Sequence, residues 1–270
     1  QVDVVIHNFR PGTMESLNLG CDALRTINPR LIYMAISGFG TEGPLRRAPA
    51  YDPIIQAHSG MAATQGGDDS PAFIRSLLCD KITAYTACQA VTSALFARER
   101  SGEGQLIDLS MLDSGLFFMF PDGFQNHALL DQDAIPGGML IDILYDLTLT
   151  KDGGITVAAA NQEMQGRMLK AIGLLHLLGD ERFSTMQRLV ENLHIFRGLV
   201  AEKCLEYTSD ELLALLREVE VPCAKCLSRD EVLAQEQLSA NDSIAEVDHP
   251  HLGTLRVIKA PPRFGGERLE

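Results

Sequence analysis

Two short apolar runs constrain this chain more than any other feature. VDVVIHNF, from Val2, has the apolar, β-branched composition of a strand buried on both faces, and LIYMAISGFG, from Leu31, reads as a second apolar strand ending in glycines. Between them, RPGTMESLNLGCDALRTINPR reads as a turn, a short helix and a second helix, punctuated by Gly12 and Gly20, with Asp22 placed as an N-cap. A strand, a helical crossover and another strand make a βαβ unit, so the fold class is α/β with a parallel sheet. A buried strand is an unusual first element for an exposed terminus. The expectation is therefore that the chain starts inside a fold, with material missing upstream.

The next elements extend this pattern. A Gly/Pro-rich loop, GFGTEGPLRRAPAYDP, leads to a helix expected from about Asp52 to Ala63. A helix expected from Asp80 to about Arg98 follows, stopped by cationic residues and the glycines of RERSGEGQ. QLIDLSM reads as a third strand, followed by an apolar helix from Met111 to Phe120. Composition shifts near DQDAIPGG, which marks a boundary. The expected division is a large α/β domain over 1–135, a small α+β domain over 136–235, and a segment 236–270 returning to the large domain. Within the second part, Lys151-Asp152-Gly153-Gly154 is the strongest hairpin signal. Ser209-Asp210-Glu211-Leu212 resembles a helix start. VPCAKCL is a short strand, SRDEVLAQEQL a capped helix, and SIAEVDH and TLRVIKA are late strands.

Charge and cysteine usage exclude some functions. A formal net charge of −13 with no basic stretch argues against nucleic acid as a partner. No apolar run approaches the roughly 18 residues of a membrane span, so no membrane partner is expected. The six cysteines show no disulfide-framework spacing, which points to a reducing, cytoplasmic setting. Cys223-Ala-Lys-Cys226 lacks a second ligand pair, so it reads as structural and no metal is expected.

Asp80 poses the functional question. Standing before an apolar helical pattern, it makes a good N-cap, and capping is the default reading of that residue type. Asn8-Phe9-Arg10-Pro11-Gly12 closes the first strand, at the end where α/β sheets place ligands. Arg10 could hold a phosphate there or simply pair with Glu15; spacing alone leaves the two readings even. Arg46 and Arg47 read as a solvated loop.

NFRPG, INPRLIYMAISGFGTEGP, AYDPIIQAHSG, the Asp80 segment, ARERSGEGQLIDLSMLD, TLTKDGGITVAAAN and VEVPCAKCLSRDEVLAQEQL follow one another in this order and spacing. Together they resemble the class III CoA-transferase family, also called CaiB/BaiF, over nearly the whole chain. The resemblance implies a Rossmann-like large domain, a small α+β domain and an interlocked homodimer, with the family's N-terminal βαβ units expected to be lacking here. It implies an enzyme that moves CoA from an acyl-CoA thioester to a carboxylic acid acceptor, with no permanently bound cofactor. Asp80 is implied as the nucleophile and Asp52 as an acidic residue beside the reaction centre. Asn8, Phe9 and Arg10 are implied to line the CoA site, with Tyr51 close to the thioester. Gly137-Gly138 falls near a glycine-rich loop of some members.

The same fold includes α-methylacyl-CoA racemases, which use a His-Asp pair where this chain has Tyr51-Asp52. Tyrosine, with a pKa of about 10, is a poor substitute for histidine in abstracting a proton near neutrality. That favours the transferase over the racemase. A third alternative is a truncated, non-catalytic CoA-binding module.

Overall fold

The computed structural model describes residues 2–124, 126–130, 147–159 and 161–268; Gly137 and Gly138 lie outside them. The chain divides into two compact units, 1–141 and 142–270. Among the described residues, no helix is long and apolar enough to cross a membrane.

The first unit is built on a parallel sheet of strands β1 (Val4–His7), β2 (Ile32–Ser37) and β3 (Leu106–Ser110), in the order β1-β2-β3. Val4 pairs with Ile32 and Tyr33 with Leu106. The apolar residues of β2 therefore sit at the centre, with Ile32, Tyr33 and Met34 fully buried. Helices α1 (Thr13–Ser16) and α2 (Cys21–Ile27) form the β1–β2 crossover, as the sequence pattern predicts. The expectation that the first strand is buried on both faces does not hold for β1. It pairs with β2 alone among the described strands, and Ile6 is 57% exposed. Composition reports what a strand can bury, and its neighbours decide what it does bury.

The β2–β3 connection carries α3 (Asp52–His58), α4 (Met61–Gly66) and the long α5 (Leu78–Ser101). The single helix expected over 52–63 is two, because Gly60 adopts φ +80°, a left-handed conformation that breaks the run. Its missing Cβ also leaves room for the Phe124 ring. Helix α5 ends where its stop signals predict, with Gly102 left-handed and its N–H donating to Arg98 O at 2.8 Å. The buried Arg98 donates to Arg30 O at 3.2 Å and pairs with Asp3 at 3.1 Å, fixing the far end of α5 to the start of β1. Helix α6 (Met111–Gly123) follows β3 without a loop, with Ser110 Oγ accepting from Asp113 N at 3.1 Å.

In the second unit, strands β4 (Thr148–Leu149), β5 (Gly154–Val157) and β6 (Cys223–Lys225) form an antiparallel sheet. The β4–β5 turn is the hairpin anticipated at 151–154. Its Asp152 accepts from Ser209 N at 2.7 Å, attaching the turn to the helix Ser209–Glu218. That helix opens with a capping box of Thr208 and Glu211, and Arg229–Leu233 opens with one of Ser228 and Glu231. The late strands pair as an antiparallel ribbon, Ile244–His249 with Gly253–Ile258.

Candidate active site

The three parallel strands all point their carboxyl ends at one cleft of about 390 Å³, lined by residues that follow them. Asn8, Phe9, Arg10 and Pro11 come from the end of β1, Ser37 and Gly38 from the end of β2, and Met111 from the end of β3. The loop before α3 contributes Arg46, Ala48, Pro49, Ala50 and Tyr51. Asp80 reaches the same cleft from the first turn of α5. Five residues singled out in the sequence, Asn8, Phe9, Arg10, Tyr51 and Asp80, thus share one cavity. Tyr51 exposes 76% of its surface, so its ring is available to a ligand.

Asp52 stands behind the cleft rather than in its lining and is 2% exposed. Its Oδ2 accepts from the Asp80 backbone N–H at 3.0 Å, and its Oδ1 accepts from Gln56 Nε2 at 2.6 Å. This corrects the capping expectation for Asp80. The N-cap of α5 is Leu77, which makes no side-chain capping bond. Asp80 lies in the first helical turn, and the carboxylate that satisfies a first-turn amide is Asp52, 28 residues earlier. The Asp80 side chain is accordingly not engaged as a cap and is directed to the cleft.

Three amides at the start of α5 are already engaged. Leu78 N donates to Ser76 O at 2.8 Å and Lys81 N to Leu77 O at 3.2 Å, while Asp80 N is held by Asp52. These three amides are therefore not free to stabilise an oxyanion.

Electrostatics distinguish Asp80 from the neighbouring Cys79. Desolvation, and secondarily the charge of Asp52, raise the Asp80 carboxyl above its ordinary pKa. A carboxylate whose basicity is raised in this way is a better nucleophile than a salt-bridged one. The adjacent Cys79 is fully buried. Burial first, then the Asp52 and Asp80 charges, push its thiol up to about 11. At neutral pH Cys79 is therefore a protonated thiol.

Gly38 is required by close approach: a Cβ there would collide with the Ala50 Cβ. Contact between the end of β2 and the 48–51 loop sets the back wall of the cleft. Sequence reasoning missed Gln56, Ser37 and Met111, and it left Arg46 as a solvated residue although it joins the lining. The second unit has its own apolar cavity of about 100 Å³ beside Met168, Phe196, Val200 and Leu216. Its lining carries no carboxylate, and the Cys204 thiol there is raised to about 11 by burial. Among the described residues, no cluster of three or more His, Cys, Asp or Glu could hold a metal ion.

Comparison with known proteins is consistent along the chain. A model of CoA-transferase family III matches residues 1–270. An acyl-CoA transferase of Fusarium pseudograminearum is 32% identical, over 98% of this chain and 59% of its own length. The succinyl-CoA–D-citramalate CoA-transferase of Chloroflexus aurantiacus is 32% identical over 97% of this chain and 66% of its own. The chain thus spans about three fifths to two thirds of the length of these curated relatives. Among solved structures, a CaiB/BaiF family protein from Brucella suis aligns with a TM-score of 0.80 and 29% identity, over 99% of this chain and 70% of that one.

Proposed function

The chain belongs to CoA-transferase family III, and on that premise we propose that it moves CoA from an acyl-CoA thioester to a carboxylic acid through a covalent intermediate on Asp80. The Asp80 carboxylate attacks the thioester carbonyl and CoA leaves as thiolate, giving a mixed anhydride. The thiolate then attacks the aspartyl carbonyl and expels the donor acid, leaving an aspartyl-CoA thioester. The acceptor carboxylate attacks that thioester, releasing thiolate and forming a second anhydride. Attack of the thiolate on the acceptor carbonyl yields the new acyl-CoA and regenerates Asp80. Each step exchanges one acyl bond for another, and a covalent carboxylate divides one difficult exchange into easier ones.

The observation that carries this reading is Asp80 itself, a carboxylate directed into a cleft shared with Asn8, Phe9, Arg10 and Tyr51 while Asp52 holds its backbone from behind. In this reading Asn8, Phe9 and Arg10 bind CoA, Tyr51 lies against the thioester and Asp52 sets the charge beside the nucleophile. Relatives named for oxalate, glutarate and citramalate support a dicarboxylic acceptor, and Arg46 supplies a cation for a second carboxylate. A homodimer, a cytoplasmic setting and the return of 236–270 to the large domain belong to the same proposal and rest on the sequence reading.

The test is an exchange assay on the full chain with succinyl-CoA and a panel of mono- and dicarboxylic acids, read as the appearance of the acceptor's CoA thioester. Exchange is expected, and Asp80→Ala should lower it by about 10³-fold or more. A folded protein that instead only admits solvent deuterium at the α-carbon would replace this reading with proton transfer.

A further inference from the structure

Among the described residues, Gln56 is the one buried amide that touches both the Asp52 carboxylate and the segment leading into α5. It is 2% exposed and lies one helical turn after Asp52 on α3. Its Nε2 faces three acceptors: Asp52 Oδ1 at 2.6 Å, Ile74 O at 3.1 Å and Ser76 O at 3.1 Å. Its Oε1 accepts from Ile74 N at 3.0 Å. No cation pairs with Asp52 among the described residues, so an ionised Asp52 depends on two N–H donors, the Gln56 amide and the Asp80 backbone. A buried carboxylate held only by hydrogen bonds is costly unless every bond is kept.

We infer that Gln56 is a positioning residue for the transfer reaction. Holding Asp52 Oδ1 and the 74–76 segment together, it aims Asp52 Oδ2 at the Asp80 amide and so fixes the first turn that presents the Asp80 carboxylate to the cleft. The inference rests on the reading of Asp80 as the nucleophile. An amide is the suitable group, because it donates to a carboxylate and accepts from a backbone N–H at the same time. A carboxyl in its place does both only while protonated. Once ionised, it faces Asp52 and two carbonyls with negative charge.

The experiment uses two variants of the full chain. In Gln56→Met, the Asp80 amide should exchange with solvent roughly tenfold faster, while the amides from Thr83 to Ala94 in the same helix stay within about twofold. In Gln56→Glu, covalent labelling of Asp80 by succinyl-CoA should run near the parental rate at low pH. It should fall to about a tenth of the parental rate or less as pH rises to 8. A purely structural glutamine would not move the pH profile. The inference is overturned if the Asp80 amide exchanges at the parental rate in Gln56→Met, or if exchange quickens uniformly along α5. It is also overturned if Gln56→Glu follows the parental pH profile. If Gln56→Met does not fold, Gln56→Glu at low and high pH decides alone. A parent that forms no adduct contradicts the reading of Asp80, and the exchange data still judge what Gln56 holds.

Discussion

The unit 142–270 and the unit 1–141 bury different chemistry. In the former, Ile155, Leu169, Ile172, Leu212, Leu216 and Val221 join one apolar cluster, and the buried polar side chains among the described residues are the Thr150 and Ser209 hydroxyls, 2.8 Å apart. In the latter, apolar burial is split between a small cluster at Met14, Leu31 and Tyr33 and another at Ile55, Met61 and Cys79. Around the second of these lie the buried side chains of Asp52, Gln56, Ser59 and Thr83. Apolar burial supplies stability in proportion to area, whereas a buried polar group costs free energy that its hydrogen bonds only partly return. Where such groups gather at the base of one carboxylate-bearing helix, geometry has been kept at the expense of stability.

Three substitutions probe that contrast. The largest stability effect is expected in the apolar cluster. Leu216 is 1% exposed, and Leu216→Ala should cost about 2–5 kcal/mol by cavity formation, seen as faster amide exchange in Ser209–Glu218. Unchanged exchange there would mean that this cluster is not what holds the unit together. A middle-sized effect belongs to the cleft wall. Gly38→Ala forces a Cβ against Ala50 and should cost about 1–3 kcal/mol while weakening acyl-CoA binding in a titration. Parental affinity in a stable variant would remove the 48–51 loop from the site.

The smallest effect sharpens the comparison most. The folded-state pKa of Asp80 is raised, so its ionisation disfavours the folded state, and that cost develops as pH rises through the raised pKa. Asp80→Asn should therefore show a slightly higher thermal midpoint than the parent at pH 7. The gain should shrink and vanish below roughly pH 4, where an aspartyl is protonated in both states. A lower midpoint at pH 7 would mean that Asp80 serves stability, and the contrast between the units would lose its point.

Much of this fold could be read from local signals. The two apolar runs and their helical crossover gave the parallel sheet, Lys151–Gly154 gave the hairpin, and the residues around Ser209 and Ser228 gave two helix starts. These features are encoded within a few residues of where they act. The site was legible in its lining, because Asn8, Phe9, Arg10, Tyr51 and Asp80 lie in blocks that resemble a known family. Its support was not. Asp52 binds an amide 28 residues away, and Gln56 binds carbonyls 18 and 20 residues away, distances that no helical or strand period reports. For the same reason Asp80 was read as a cap, since local spacing could not reveal that another carboxylate already serves its turn. A glutamine in a helix is ordinarily solvated, and nothing in its neighbours marked Gln56 as buried. The exposure of β1 was missed because burial belongs to what packs against a strand, which composition does not specify.

The account depends on Asp80 forming a covalent bond to its substrate. The most direct measurement is the intact and peptide mass of the full chain after incubation with succinyl-CoA, quenched with hydroxylamine or borohydride and set beside Asp80→Ala. A mass change mapped to Asp80 in the parent and absent from the variant is the predicted result. Consumption of the thioester with Asp80 unmodified, or the same modification in Asp80→Ala, would contradict it.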